Sequence, residues 1–228
     1  MPPPGGSTEA FEAARAKMVE RQLRAGGIRD ERVLAAMGTV PREAFVPERR
    51  RKHAYEDGAL PIGHGQTVSQ PWIVAAICEA LELLGDEDVL EIGTGSGYSA
   101  AVLAMLARRV VSVEIIEELA AQARATLDDL GHSNVEVLVG DGSGEVAAPQ
   151  SYDAIAVHAT APALPGPLAR ALRPGGRLVI PIAENHADLL VAFRRTDDGR
   201  GEEPVLKRRA LAPCRFVPLV GEGGFPRK

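Results

Sequence analysis

Aromatic residues make up only 4% of this 228-residue chain, so any core has to rest mainly on Ala, Leu, Val and Ile. Cysteine is almost absent. Cys78 and Cys214 form neither a short pair nor a metal-ligand spacing, and two buried reduced thiols in a cytoplasmic protein suit them better than one disulfide. No Cys/His/Asp cluster has the spacing of a metal site. Nowhere do about 18 apolar residues run together, so no membrane span is expected. The opening MPPPGGSTEA lacks both the basic start and the apolar stretch of a signal peptide, and a cytoplasmic location is the default that follows. A basic surplus is missing as well. The 26 Lys and Arg stand against 31 Asp and Glu, a formal charge of -5, which argues against a nucleic-acid partner. What is present, 45% hydrophobic and 25% charged residues, suffices for one well-buried core and is short for two full domains.

Residues 1–9, rich in Pro and Gly with nothing apolar to bury, read as a disordered tail. Residues 10–84 read as helices and a loop packed on the main domain. Phe11, Ala14, Met18, Val19 and Leu23 recur at helical spacing until Gly26–Gly27 stops the run. Asp30 caps a second short helix, and Pro41 suits the first turn of another that buries Phe45 and Val46. The segment AYEDGALPIGHGQTVSQP is punctuated by Gly and Pro as a loop, and a strongly apolar helix runs from Trp72 to Leu84. Residues 85–228 alternate strand and helix: DVLEI, SAAVLAMLA, RRVVSVE, a helix from Ile116 to Leu130, NVEVLVG, SYDAIAVHA, a helix over Leu164–Leu172, then GRLVIPI. A short helix is expected near Gly144–Ala147. This order predicts an α/β fold with a mostly parallel sheet covered on both faces. LLVAFRR and CRFVPLV, separated by the turn TDDGRGEEP, predict an antiparallel addition at the C-terminal end.

The sharpest chemical signal is VLEIGTGSGYSA at 89–100. Gly93, Gly95 and Gly97 follow a buried strand and open a helix, where glycine permits a tight turn and close approach of a ligand to the backbone. Glu114 ends the next strand, placed to accept hydrogen bonds from ribose hydroxyls. The third strand ends in Gly140–Asp141–Gly142, where Asp141 is placed to meet an adenine amine beside Gly142. Three loops thus converge on one nucleoside. The spacing G-T-G-S-G differs from the dinucleotide pattern, in which backbone amides meet a pyrophosphate. Glu91, two residues before Gly93, is awkward beside a pyrophosphate and comfortable near an ammonium and a sulfonium. That favours S-adenosylmethionine over a nicotinamide dinucleotide.

With these stretches in view, the chain resembles the protein-L-isoaspartate (D-aspartate) O-methyltransferase family from about Met18 to Leu219. MVERQL, VPREAFVP, AYEDGALPIGHGQTVSQP, VLEIGTGSGYSAAVLA, NVEVLVGDG, YDAIAVHA, LRPGGRLVIP and FVPL carry the resemblance, and GHGQTVSQP with VPREAFVP upstream is its most specific part. The resemblance implies a Rossmann-like class I S-adenosylmethionine-dependent methyltransferase, acting as a monomer on isoaspartyl-containing proteins and peptides. It implies cofactor contacts at Glu91, Gly93, Gly95, Gly97, Glu114, Asp141 and Gly142. It places the active-site serine at Ser69, in a loop that covers the methyl donor. Two positions depart from the family pattern: His158 stands where many members have Thr, and Ala183 where a glycine commonly follows. Both bear on how the acceptor is held. The nearest alternative is the same fold acting on a dedicated peptide or other carboxylate acceptor. The chain ends close to FVPL, leaving no room for a large additional domain.

A carboxylate acceptor is already ionised at neutral pH, so transfer to it calls for alignment and exclusion of water more than for a base. Ser69 is expected to position the acceptor by hydrogen bonding. Gln66, Thr67 and Gln70 are possible assistants, and His64 and His158 are read chiefly as satisfied polar residues.

Overall fold

The computed structural model describes residues 7–184, 187–201 and 203–226. Residues 1–6 of the expected tail lie outside the described residues. The rest of that segment is ordered, because the Ser7 side chain accepts from the Ala10 amide at 3.2 Å and caps helix α1 (Thr8–Met18). The helix loosens into a π-helical turn, Val19–Arg24, before the glycines end it. Helix α2 (Glu31–Thr39) starts where Asp30 accepts from the Arg32 amide at 2.8 Å. Asp30→Ala is expected to cost about 1 kcal/mol, read as a lower midpoint of urea unfolding. Two short 3-10 turns, Arg42–Phe45 and Glu48–His53, follow Pro41 and Pro47.

The Gly- and Pro-punctuated segment is more regular than its composition suggests. Strands β1 (Leu60–Gly63) and β2 (Gln66–Val68) pair antiparallel around a turn in which His64 and Gly65 both have positive φ. Helix α3 (Pro71–Leu81) follows at once, with Pro71 at its first position and Glu82 closing it in the left-handed region.

The main sheet is built from β3 (Asp88–Ile92), β4 (Arg109–Glu114), β5 (Val135–Val139), β6 (Tyr152–Val157), β7 (Leu172–Glu184), β8 (Ala187–Arg195) and β9 (Leu206–Cys214). Between them lie α4 (Tyr98–Ala104), α5 (Glu117–Asp129) and α6 (Gly166–Ala171). The spatial order is β5-β4-β3-β6-β7-β8-β9, parallel from β5 to β7 and antiparallel beyond. The chain moves outward in one direction from β3 to β5, then returns to β3's other side with β6. That reversal opens a crevice at the carboxyl ends of β3 and β6.

Alternation along β3 divides the core. Leu90 and Ile92 face one apolar cluster with Val111, Ile155, Leu178 and α6. Val89 faces the other, shared by α3, α4, Met18, Leu23, Leu34 and Met37. The N-terminal helices are therefore part of the same core as the sheet.

Two expected elements differ. No helix forms over Gly144–Ala147; the Asp141 carboxylate accepts from the Ser143 amide at 2.9 Å, and the chain leaves in turns. The last strand is LKRRALAPC, not CRFVPLV. Lys207, Arg208 and Arg209 suit a sheet edge, which charge protects from further pairing. Pro218 lacks the amide a ladder needs, and its segment crosses the carboxyl edge of the sheet, tied there by Thr160 N–H to Val217 O (2.8 Å) and Leu219 N–H to Thr160 O (2.7 Å).

Candidate active site

A cleft opens at the carboxyl edge of the sheet. Its floor is the turn after β3, one wall is the β2–α3 loop, and the far wall is the C-terminal segment Val217–Val220. The glycine turn is steep: φ is +91° at Gly93, +54° at Gly95 and +89° at Gly97. Gly97 is the most constrained, since a Cβ there would also sit 3.2 Å from the Ala123 Cβ. The turn closes through Gly97 N–H to Thr94 O at 2.8 Å, and α4 begins directly.

Glu114, at the end of β4, is 5% exposed and lines the cleft. Its Oε2 accepts from the Gly95 amide at 2.8 Å and its Oε1 from the Ile116 amide at 3.0 Å. One carboxylate thus holds the glycine turn and the β4–α5 turn in register. Among the described residues the lining contains neither Lys nor Arg. Glu114 is its carboxylate and His158 its basic side chain, so the cleft suits a cationic or neutral nucleoside far better than a pyrophosphate.

The other predicted residues fall in three places. Gly93, Gly95, Gly142 and Ser69 line the cleft, with Gln66 and Thr67 beside Ser69. Among the described residues the Ser69 hydroxyl takes part in no hydrogen bond within the protein; only its carbonyl does, accepting from Arg42. Gln70 turns outward to Asp57 at 2.7 Å, and exposed His64 sits in the hairpin turn. Asp141 binds the Ser143 hydroxyl at 2.6 Å and the Glu222 amide at 2.8 Å, so its carboxylate clasps the C-terminal wall onto the cleft.

Glu91 lies one layer below the cleft. It is fully buried at 0% exposure, because strand alternation sends it with Val89 toward the helices α3 and α4. Its Oε2 accepts from the Ser112 hydroxyl at 2.5 Å, and Ser112 lies 2.5 Å from the Thr94 hydroxyl in the glycine turn. Its Oε1 stands 3.2 Å from Nε2 of His158 without a donor aligned on it, a close electrostatic approach and not a hydrogen bond. Nε2 is instead directed at the Ser99 hydroxyl, 2.8 Å away. Serine and carboxylate therefore meet the same ring nitrogen, which excludes a hydrolase-type triad, where they occupy opposite nitrogens. The carboxylate beside Nε2 favours a hydrogen on that nitrogen, since a lone pair would face an anionic oxygen.

Sequence reasoning gave no role to Arg42, which is fully buried beneath the cleft with its guanidinium 4.7 Å from the Tyr98 ring. Burial lowers its pKa from the usual arginine value, with Tyr98 opposing the shift. Burial pushes the Tyr98 hydroxyl up to about 12, so it stays a neutral donor, here to Met37 Sδ at 3.6 Å. The C-terminal wall was also missed, because FVPLV has the pattern of a strand.

Comparison with known proteins follows the same lines. The family model for protein-L-isoaspartate(D-aspartate) O-methyltransferases matches residues 13–224. Protein-L-isoaspartate O-methyltransferase 1 of Rhodopseudomonas palustris (strain HaA2) is 52% identical over 227 residues, 98% of this chain and 90% of that protein. Protein-L-isoaspartate O-methyltransferase 2 of Pelobacter propionicus is 54% identical over 217 residues, 94% of this chain and 93% of its own. A Plasmodium falciparum chain assigned as a protein-L-isoaspartate O-methyltransferase, solved with S-adenosyl-L-homocysteine, superposes with a TM-score of 0.77. It covers 90% of this chain and 98% of that one at 23% identity, a likeness of fold.

Proposed function

The chain belongs to the protein-L-isoaspartate(D-aspartate) O-methyltransferase family, and we infer that it works through the cleft at the carboxyl edge of its sheet. The enzyme transfers a methyl group from S-adenosylmethionine to the side carboxyl of L-isoaspartyl residues in damaged proteins and peptides. The observation that carries the assignment of the site is convergence: the glycine turn, Glu114 and Ser69 come from separate parts of the chain and line one cleft.

The cleft fits the cofactor on its own terms. Among the described residues its lining carries the Glu114 carboxylate and neither Lys nor Arg, which suits a nucleoside bearing a positive charge. When bound, S-adenosylmethionine supplies a methyl carbon already activated by its sulfonium. Gly93 and Gly95 let the backbone approach it closely, Gly97 packs the turn against Ala123, and Glu114 accepts from the ribose hydroxyls while keeping both turns in place. Gly142 gives room beside Ile92, and Asp141 acts on the adenine side through the wall it clasps. Glu91 acts from below, setting the hydrogen on His158.

Ser69 donates to the acceptor carboxylate or the adjoining peptide group and so fixes the direction of the attacking oxygen. No proton has to leave the acceptor, so no base is required. What the protein contributes is orientation, which in well-held systems is worth on the order of 7 kcal/mol or more. The ester produced is open to attack by the next backbone amide nitrogen, which expels methanol and gives a succinimide whose hydrolysis restores some normal aspartyl linkage. That repair step needs no further residue of the enzyme.

Action as a monomer follows from the family resemblance. The net charge of -5 supports a protein or peptide acceptor over nucleic acid. Among the described residues no helix is long and apolar enough to cross a membrane. Two free thiols, Cys78 and Cys214, support work in the reducing cytoplasm.

The test is transfer of a labelled methyl group to paired synthetic peptides, one with isoaspartate and one with aspartate at the same position. Labelling confined to the isoaspartyl peptide is expected, with Ser69→Ala reducing kcat/KM by about tenfold, the worth of one hydrogen bond to a charged group. Equal labelling of both peptides overturns isoaspartyl selectivity. Binding without labelling of either moves the acceptor to another carboxylate, the outcome to which His158 in the cleft would then be relevant.

A further inference from the structure

Arg42 is a buried cation without an anion. Its guanidinium has 0% exposure and no carboxylate partner among the described residues, and its Nη1 has no hydrogen-bond partner there. Nε donates to the Ala54 carbonyl at 2.8 Å and Nη2 to the Ser69 carbonyl at 2.7 Å. The plane lies over the Tyr98 ring at 4.7 Å, and Phe45 meets the same ring edge-on at 5.8 Å between centroids. An unpaired buried charge is costly, and two hydrogen bonds to carbonyls offset only part of that cost. The distinctive thing the guanidinium does is join two walls of the cleft, because Ser69 and Tyr98 both line it and come from the β2–α3 loop and the start of α4.

We propose that Arg42 is a positioning residue for Ser69, locking the peptide plane after Ser69 so that its hydroxyl is presented to the acceptor at a fixed angle. The two carbonyls set the height of the loop, and the aromatic face sets its distance from the glycine turn. A guanidinium performs all three tasks because its donors form a rigid planar fork; an ammonium on a flexible stem cannot. The proposal rests on the reading of Ser69 as the acceptor-orienting side chain.

The experiment crosses Arg42→Met and Arg42→Lys with Ser69→Ala. It measures methyl transfer to the isoaspartyl peptide, the Kd for S-adenosylhomocysteine and the thermal midpoint. Arg42→Met is expected to lower kcat by about tenfold while leaving the cofactor Kd within about twofold, with a midpoint several degrees lower because the Ala54 and Ser69 carbonyls lose their donors. The double variant Ser69→Ala/Arg42→Met is expected to be no worse than Ser69→Ala alone, because both remove the same oriented hydroxyl. Arg42→Lys keeps the charge and one carbonyl, and is expected to recover only part of kcat. If Arg42→Met fails to fold, Arg42→Lys decides: full activity in it overturns the proposal. Losses that multiply in the double variant, or a loss of cofactor affinity in Arg42→Met as large as the loss of kcat, also overturn it. Wild-type activity in Ser69→Ala alone is a different result and removes the Ser69 reading itself.

Discussion

Glu114→Gln weakens binding of S-adenosylhomocysteine by about 10- to 100-fold, although the change is nearly isosteric. Each oxygen of Glu114 accepts from a backbone amide, Gly95 on one side and Ile116 on the other, at 2.8 and 3.0 Å. Glutamine has one oxygen and one NH2 group, so one of those amides must face another donor. Either the glycine turn or the β4–α5 turn is then released, and the anionic acceptor proposed for the ribose hydroxyls goes with it. A hydrogen bond to a charged group is worth about 1.5–3 kcal/mol, which gives that range of affinity. Isothermal titration with S-adenosylhomocysteine measures it directly. Glu114→Asp sharpens the test, since a shorter carboxylate keeps the charge but cannot span both amides. It is expected to lie between Gln and wild type. Affinity unchanged within threefold in Glu114→Gln would remove the ribose from this residue and leave it a turn-fixing role.

The glycine turn and Glu114 were legible because their meaning is local. A buried strand, three glycines and an opening helix occupy twelve consecutive residues, and periodicity marks each boundary. Ser69 was legible only through family resemblance, as nothing in GHGQTVSQP by itself distinguishes a cleft wall from a turn. Arg42 was hidden for a different reason. Its partners lie 12 and 27 residues further along, and an arginine in a polar-looking turn is ordinarily solvated. Its burial is a property of how the turn, the hairpin and α4 meet.

The C-terminal strands show how charge and apolar patterning compete as signals. CRFVPLV carries the apolar residues a strand is expected to have, yet LKRRALAPC forms β9, because an edge strand with a solvated face has little need of them. FVPLV spends its apolar side chains on the cleft wall. Gly221 makes the clasp there possible: with φ at +150°, a Cβ would fall 2.1 Å from Asp141 Oδ1. Sequence order alone placed Asp141 in the loop after β5 but could not show that the wall, 81 residues later, shares its carboxylate.

Glu91 tests the difference between being near a ligand and being built beneath it. Glu91→Ala is expected to lower the unfolding free energy by about 3–5 kcal/mol, a drop in thermal midpoint of roughly 6–20 °C for a chain of this size. The substitution opens a cavity between β3 and the helices, strands the hydroxyls of Ser112 and Thr94, and removes the carboxylate 3.2 Å from His158. Glu91→Gln separates shape from charge. Its oxygen still accepts from Ser112, and its NH2 faces a His158 nitrogen that can accept in the other tautomer. Most of the stability is therefore expected to return, at a residual cost of about 1–2 kcal/mol. Cofactor affinity provides the deciding readout. For a side chain with no exposure, Glu91→Gln leaves the Kd for S-adenosylhomocysteine within about threefold, because Glu91 itself does not line the cleft. A tenfold loss of affinity at an undiminished midpoint would instead restore the direct cofactor contact expected from the residue's place two positions before Gly93. The cleft would then have to open deeper on binding than its resting walls allow.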